Sequence, residues 1–278
     1  MTFGFSRREL LAAYDAALRG RAEMGGASSW DRSGPLWRGV SHRGGFVSYE
    51  SLDGVADVDA LIAQTIEYFI VLPGIEEFEW KTRGHDRPVD LGRRLQAQGL
   101  VPEEVETVMI GEAARLAQDV EVPAGIVVHR VDQLADREDV IRQAAAMQRE
   151  VFGSGPSTAE VIDRLDRQQG LEEFWVALAR DEVVSAGRLT RVPDSAFAGL
   201  WGGATRPEWR GRGAYRAVTA ARARSAIDGG VTYLHSDCTA MSQPILERSG
   251  LTAVTTTTPY IWRQKTPQPR VTTQSGRA

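Results

Sequence analysis

The run Thr205-Arg206-Pro207-Glu208-Trp209-Arg210-Gly211-Arg212-Gly213-Ala214-Tyr215-Arg216 joins a strand-like segment to a helix through a basic turn carrying two glycines. Types in this order can cradle a phosphate. Gly211 and Gly213 lack a Cβ, so the backbone can take unusual dihedrals and approach a ligand closely. The first N–H groups of the following helix have no partner inside it and point at the same place. Arg210 and Arg212 add guanidinium forks suited to phosphate oxygens. Val218, Ala221 and Ala226, interleaved with Arg222 and Arg224, continue an amphipathic helix behind the turn. Two familiar phosphate loops do not fit. A P-loop ends in Gly-Lys-Ser/Thr, and the dinucleotide fingerprint needs a third glycine where Arg216 stands.

Elements must hold these residues in place, and the flanks supply them. Phe174 to Ala179, Val183 to Arg191 and Ala196 to Thr205 read as three antiparallel strands, broken by Arg180-Asp181-Glu182 and Pro193-Asp194. After the helix, Gly229-Gly230 marks its end and Val231 to Ser236 alternates as a strand. A short helix is expected next, with Ser242 as N-cap, Pro244 in the first turn, Ile245 and Leu246 as its apolar face and Gly250 as the stop.

With that order in place, Arg210-x-x-Gly213-x-Tyr215 fits the pattern Arg/Gln-x-x-Gly-x-Gly/Ala, and Pro207-Glu208-Trp209 is its customary lead-in. The stretch from 126 to 264 resembles the GNAT superfamily of N-acetyltransferases. The resemblance implies an α+β fold, a mixed and mostly antiparallel sheet flanked by helices. It implies acetyl-CoA as co-substrate, held by Gly203, Ala204, Thr205, Arg210, Gly211, Arg212, Gly213, Ala214 and Tyr215, with no metal. It implies direct acyl transfer to a primary amine of a small molecule, the developing oxyanion facing a backbone N–H near Ala204, Thr205 or Arg206. There are departures. Tyr215 stands where the short form of the motif has Gly or Ala. Leu246 stands where relatives carry the tyrosine that protonates the CoA thiolate, and residues 196–203 hold no carboxylate where relatives often place a glutamate.

Proton carriers must therefore come from elsewhere. Asp237, at the end of the next strand, is the first candidate base, its competing role being a cap on the following turn. His235 is the second, because its ordinary pKa lies nearest neutrality. Tyr215 is a candidate acid. Cys238 either protonates the thiolate or is a small buried apolar residue. Trp201, set among Gly199, Gly202 and Gly203, is a candidate wall for the acceptor, and Phe152-Gly153-Ser154-Gly155-Pro156-Ser157 a candidate substrate lid. His85-Asp86 reads as a loop hydrogen bond, with no nucleophile motif beside it.

The first half carries a faint echo. Glu76 to Trp80 reads as a strand, followed by a helix through Leu91 and Leu95, and then a strand from Val105 to Ile110. Leu95 to Leu100 repeats the Leu-x-x-x-Gly-Leu ending of Leu246 to Leu251. Two α+β units in tandem follow: a degenerate GNAT-like domain over 1–118, a linker over 119–125, the acyl-CoA domain over 126–264 and a flexible tail over 265–278. At 278 residues, two domains are also the better expectation from length. One cysteine excludes an internal disulfide, and four histidines without ligand spacing give no structural metal. No run is apolar enough to span a bilayer and no signal peptide is visible, so a cytoplasmic location is expected. A net charge of -4 argues against bulk nucleic-acid binding. The basic patch of Arg206, Arg210, Arg212, Arg216, Arg222 and Arg224 reads instead as a CoA phosphate site. Two rivals stay open: a tRNA-dependent aminoacyl transferase on a GNAT-like scaffold, and a CoA-binding regulatory protein without chemistry.

Overall fold

The computed structural model describes residues 5–41, 44–122 and 124–264. In chain order it contains α1 (Arg7–Ala17), β1 (Ser29–Ser33), β2 (Leu36–Ser41), β3 (Gly44–Tyr49), α2 (Val58–Ile70), β4 (Glu77–Arg83), α3 (Leu91–Ala97), β5 (Val101–Pro102), β6 (Glu106–Glu112) and α4 (Ala113–Leu116). There follow β7 (Ile126–Arg130), α5 (Arg137–Phe152), α6 (Thr158–Arg167), β8 (Glu172–Ala179), β9 (Glu182–Arg191) and β10 (Phe197–Thr205). The last elements are α7 (Ala214–Asp228), β11 (Tyr233–Cys238), α8 (Gln243–Arg248) and β12 (Thr252–Arg263). Two compact units emerge: Val105–Thr257 with the described part of Met1–Glu23, and Met24–Glu104 with the described part of Thr258–Ala278. No helix among the described residues is long and apolar enough to cross a membrane.

In the larger unit the strands run β7, β8, β9, β10, β11, β6 and the first half of β12, all antiparallel neighbours except the parallel pair β10 and β11. Alternation along each strand assigns the faces. On one face α7, α4 and α8 bury Ala223, Leu116 and Leu246 with Ala198, Leu200 and Leu234. On the other, α5 places Val140, Ile141, Ala144 and Met147 against Phe174, Val176 and Ala204, and α1 lays Leu10, Tyr14 and Leu18 on Val108, Ile110 and Phe197. Each large apolar side chain fully buried this way contributes about 1.5–3 kcal/mol. Capping boxes, Ser6 with Glu9 and Ser157 with Glu160, fix the starts of α1 and α6.

The smaller unit orders β1, β2, β3, β4 and the second half of β12, with β3 and β4 parallel and β5 paired to β12. Its core gathers Tyr49, Phe69, Phe78, Trp80, Ile62 and Leu95. Of the pair His85-Asp86, the aspartate closes the loop after β4 and ties it to β3. Asp86 Oδ2 accepts from the Tyr49 hydroxyl at 2.6 Å and from the Arg83 N–H at 2.7 Å.

The division into units differs from the boundaries expected at 119–125. β6 pairs along its length with β11 and, on its other edge, with β12, while α1 packs on the same sheet. Both ends of the expected N-terminal domain therefore belong to the larger unit, since strand pairing and burial, not position along the chain, decide membership. Within 119–125, Asp119 and Val120 line a cavity. The expected tail, 265–278, lies outside the described residues.

Candidate functional site

β10 and β11 pair over three positions only, Phe197 to Gly199 with Tyr233 to His235. Beyond them β10 follows β9 and β11 follows β6, so a wedge opens between the two strands. A bulge between Trp201 and Ala204 bends β10 there, with Gly202 at φ +59°. Ser236 bridges the start of the wedge, its hydroxyl donating to the Leu200 carbonyl at 2.9 Å. The Trp201 indole folds back over Gly199 and stands edge-on to His235, ring centroids 5.3 Å apart.

After Thr205 a short 3-10 turn, Pro207–Trp209, delivers the chain to Gly211 at φ +72° and Gly213 at φ +91°. Gly213 is the N-cap of α7, and no side chain caps that end. A Cβ on Gly213 would stand 2.8 Å from the Glu121 carbonyl, so both dihedral and space demand glycine. The turn borders a cavity of about 840 Å3 lined by Gly203, Ala204, Thr205, Arg210, Gly211, Gly213 and Tyr215. Leu116, Val120, Val151, Met241 and Ile245 supply apolar walls. Four guanidinium side chains, Arg115, Arg210, Arg216 and Arg248, also line it. Arg115 meets Glu112 only at 3.8 Å, and Arg210 Nε donates to the Thr205 carbonyl at 3.3 Å. An open helix N-terminus and four cations bordering one largely apolar cavity suit a polyanion with an apolar body.

The remaining expected residues fall elsewhere. Arg212 lies over the Trp209 ring at 5.4 Å, and Ala214 is buried beside Val218; neither lines the cavity. The basic patch needs correction. Arg206 is tied to the Val183 carbonyl and to Glu150 and Glu182, Arg224 donates to the Ala117 carbonyl, and Arg222 is fully buried. Helical spacing explains Arg222: it follows Val218 by four residues and so sits on the inward face. Its guanidinium donates to the Arg188 carbonyl at 3.0 Å and to Thr219 Oγ1 at 3.0 Å; burial lowers its pKa, partly offset by the Tyr215 phenol.

His235 and Asp237, two apart on β11, share the sheet face that carries Phe197 and Trp201, and neither lines the cavity. Cys238 faces the opposite way, buried with Leu234 and Leu246. Its thiol is pushed up to about 11, first by burial and then by the charges of Asp237, Glu106 and Glu247. The Tyr215 ring packs under the bulge, where a Cβ on Gly203 would meet it at 2.8 Å. Of the expected lid, Phe152 lines the cavity.

Arg115, Arg248 and Gln148 escaped sequence reasoning. Arg115 belongs to a stretch assigned to the other half, and no linear signal links it to the loop. Gln148 had one: with Ile141, Ala144 and Ala145 it completes an i, i+3, i+4, i+7 apolar face on which it is the sole polar residue. Among the described residues no group of His, Cys, Asp and Glu is arranged to hold a metal ion.

No family model matches the chain, and no curated protein matches it in sequence. Solved structures match its fold. A GCN5-related N-acetyltransferase from Kribbella flavida gives a TM-score of 0.69 at 15% identity, over 95% of this chain and 98% of that one. One from Sphaerobacter thermophilus gives 0.62 at 15% identity, over 82% and 76%. A tandem GNAT protein from the clavulanic acid biosynthesis pathway gives 0.58 at 10% identity, over 94% and 95%. At these identities the likeness is one of fold.

Proposed function

We propose that this chain, which has the fold of the GCN5-related N-acetyltransferases, transfers an acetyl group from acetyl-CoA to a primary amine of a small molecule. The observation that carries this reading is the single cavity in which the uncapped start of α7 and four arginines converge. The N–H groups behind Gly211 and Gly213 and the guanidinium groups of Arg210 and Arg216 would hold the pyrophosphate. Arg115 and Arg248 would neutralise the remaining phosphate, and Leu116, Val120 and Ile245 would cover the apolar parts of the coenzyme. Convergence on one cavity, rather than a spread over a face, favours a nucleotide-sized polyanion over tRNA.

Acetyl-CoA supplies the activated thioester; the chain supplies approach, polarisation and two proton transfers. The amine nitrogen forms a bond to the carbonyl carbon, the C–S bond breaks, and an amide and a thiol result. Strand β10, free of β11 beyond Gly199, presents backbone N–H groups where charge develops on oxygen. Asp237, with His235 on the same face of β11, takes a proton from the substrate ammonium and so frees the amine that attacks. Tyr215, which lines the cavity, returns a proton to sulfur. Holding both reactants in line provides much of the rate.

The test is amine-dependent thiol release from acetyl-CoA, with a panel of small primary amines and mass analysis of the acylated product. Stoichiometric amide and thiol are expected, and Asp237→Asn should lower turnover by about a hundredfold with little change in Tm. Tight coenzyme binding without thiol release from any amine would contradict catalysis and leave the regulatory reading.

A further inference from the structure

Gln148 is buried on the apolar face of α5, among residues that pack against β8, β9 and β10. A carboxamide there costs free energy unless it is hydrogen-bonded, and a methionine or leucine would fill the same space without that cost. Its hydrogen bond is specific: Nε2 donates to the carbonyl oxygen of Gly202 at 2.6 Å. Gly202 is the bulge residue at φ +59°, and a Cβ on it would stand 2.9 Å from that same Nε2. On the other side, a Cβ on Gly203 would meet the Tyr215 ring at 2.8 Å. The bulge is thus clamped between α5 and the first turn of α7.

A peptide unit is planar and trans, so its C=O and N–H point in opposite directions. Holding the Gly202 carbonyl toward Gln148 turns the Gly203 N–H away from α5. Gly203 lines the cavity with Ala204 and Thr205, on the stretch of β10 that β11 does not pair. We propose that Gln148 is a positioning residue for acyl transfer: it locks the Gly202–Gly203 peptide so that the Gly203 N–H is aimed at the carbonyl oxygen of the bound thioester. This inference rests on the acyltransferase reading and adds to it a residue outside the cavity lining. Without the clamp the glycine pair, with its wide dihedral freedom, leaves that donor misdirected for part of the time.

The experiment is an isotope-edited infrared measurement on the full chain with acetyl-CoA labelled at the carbonyl carbon, which needs no acceptor, read beside turnover with an amine that the panel above finds to be acylated. In the wild type the thioester carbonyl stretch should fall below its value in water. In Gln148→Met and Gln148→Leu that fall should largely vanish, while coenzyme affinity by calorimetry stays within about threefold and kcat drops about 10- to 100-fold at unchanged KM, the scale of a misaimed oxyanion donor. Gln148→Glu offers a separate signature. Its carboxylate cannot donate, so turnover should be low at neutral pH and recover as falling pH protonates the side chain. A wild-type band at the solution frequency, or the same lowered band in both apolar variants, would overturn the role of Gln148 while leaving the coenzyme assignment intact. Failure of the wild type to bind acetyl-CoA would overturn the acyltransferase reading, and this inference with it.

Discussion

The two helices that follow a parallel-paired strand, α2 and α7, begin in opposite ways. Their surroundings match. β3 pairs with β4 from Gly45 to Val47 as β10 pairs with β11 from Phe197 to Gly199, three positions in each case. Each crossover leads to a short helix closed in the same manner. Leu100 N–H returns to the Leu95 carbonyl at 3.1 Å with Gly99 at φ +91°, and Leu251 N–H returns to the Leu246 carbonyl at 3.0 Å with Gly250 at φ +98°. At the helix starts the likeness ends. Asp57 caps α2 with its own carboxylate, which accepts from the Ala60 N–H at 2.9 Å, and the chain from 50 to 57 holds acids and no base. Gly213 caps α7 with nothing, among arginines. One arrangement spends the free N–H groups internally and repels anions. The other leaves them without a side-chain cap, and the proposed reading gives them to the coenzyme.

The largest effect should come from closing the open end. Gly213→Val places a β-branched residue at φ +91° and its Cβ against the Glu121 carbonyl. Loss of two charge-assisted hydrogen bonds at about 1.5 kcal/mol each corresponds to about a hundredfold weaker coenzyme binding by calorimetry. Strain of about 1–2 kcal/mol should lower Tm while the chain still folds. Unchanged affinity would break the contrast between the two helices. The smallest effect should come from opening the closed end. Asp57→Ala removes a helix cap, costing about 1 kcal/mol of stability in chemical denaturation, and should leave coenzyme affinity unaltered. An affinity change there would mean that α2 takes part in binding.

What could be read from the sequence was local. The loop announced itself as a tight turn because its two glycines free the backbone, and both Gly211 and Gly213 stand at positive φ. The twin Leu-x-x-x-Gly-Leu endings were legible for the same reason, a six-residue hydrogen-bonded closure written in six residues. Arg222 was misplaced because its charge suggested water, whereas the helical period and the absent side chain of Gly187 make room for it inside, a Cβ at 187 falling 2.7 Å from its Nη1. The unit boundary was misplaced because β6 finds its partners, β11 and β12, more than a hundred residues downstream. Arg115 reaches the cavity for that reason too, carried there on α4 directly behind β6.

On the proposed reading the chain binds its coenzyme at the start of α7 and at no equivalent place behind β3. Calorimetric titration of the full chain with CoA measures this most directly. A single site per chain is expected, one that Gly213→Val removes and Asp57→Ala leaves untouched; two sites of comparable affinity, or a single site indifferent to Gly213, would rule that reading out.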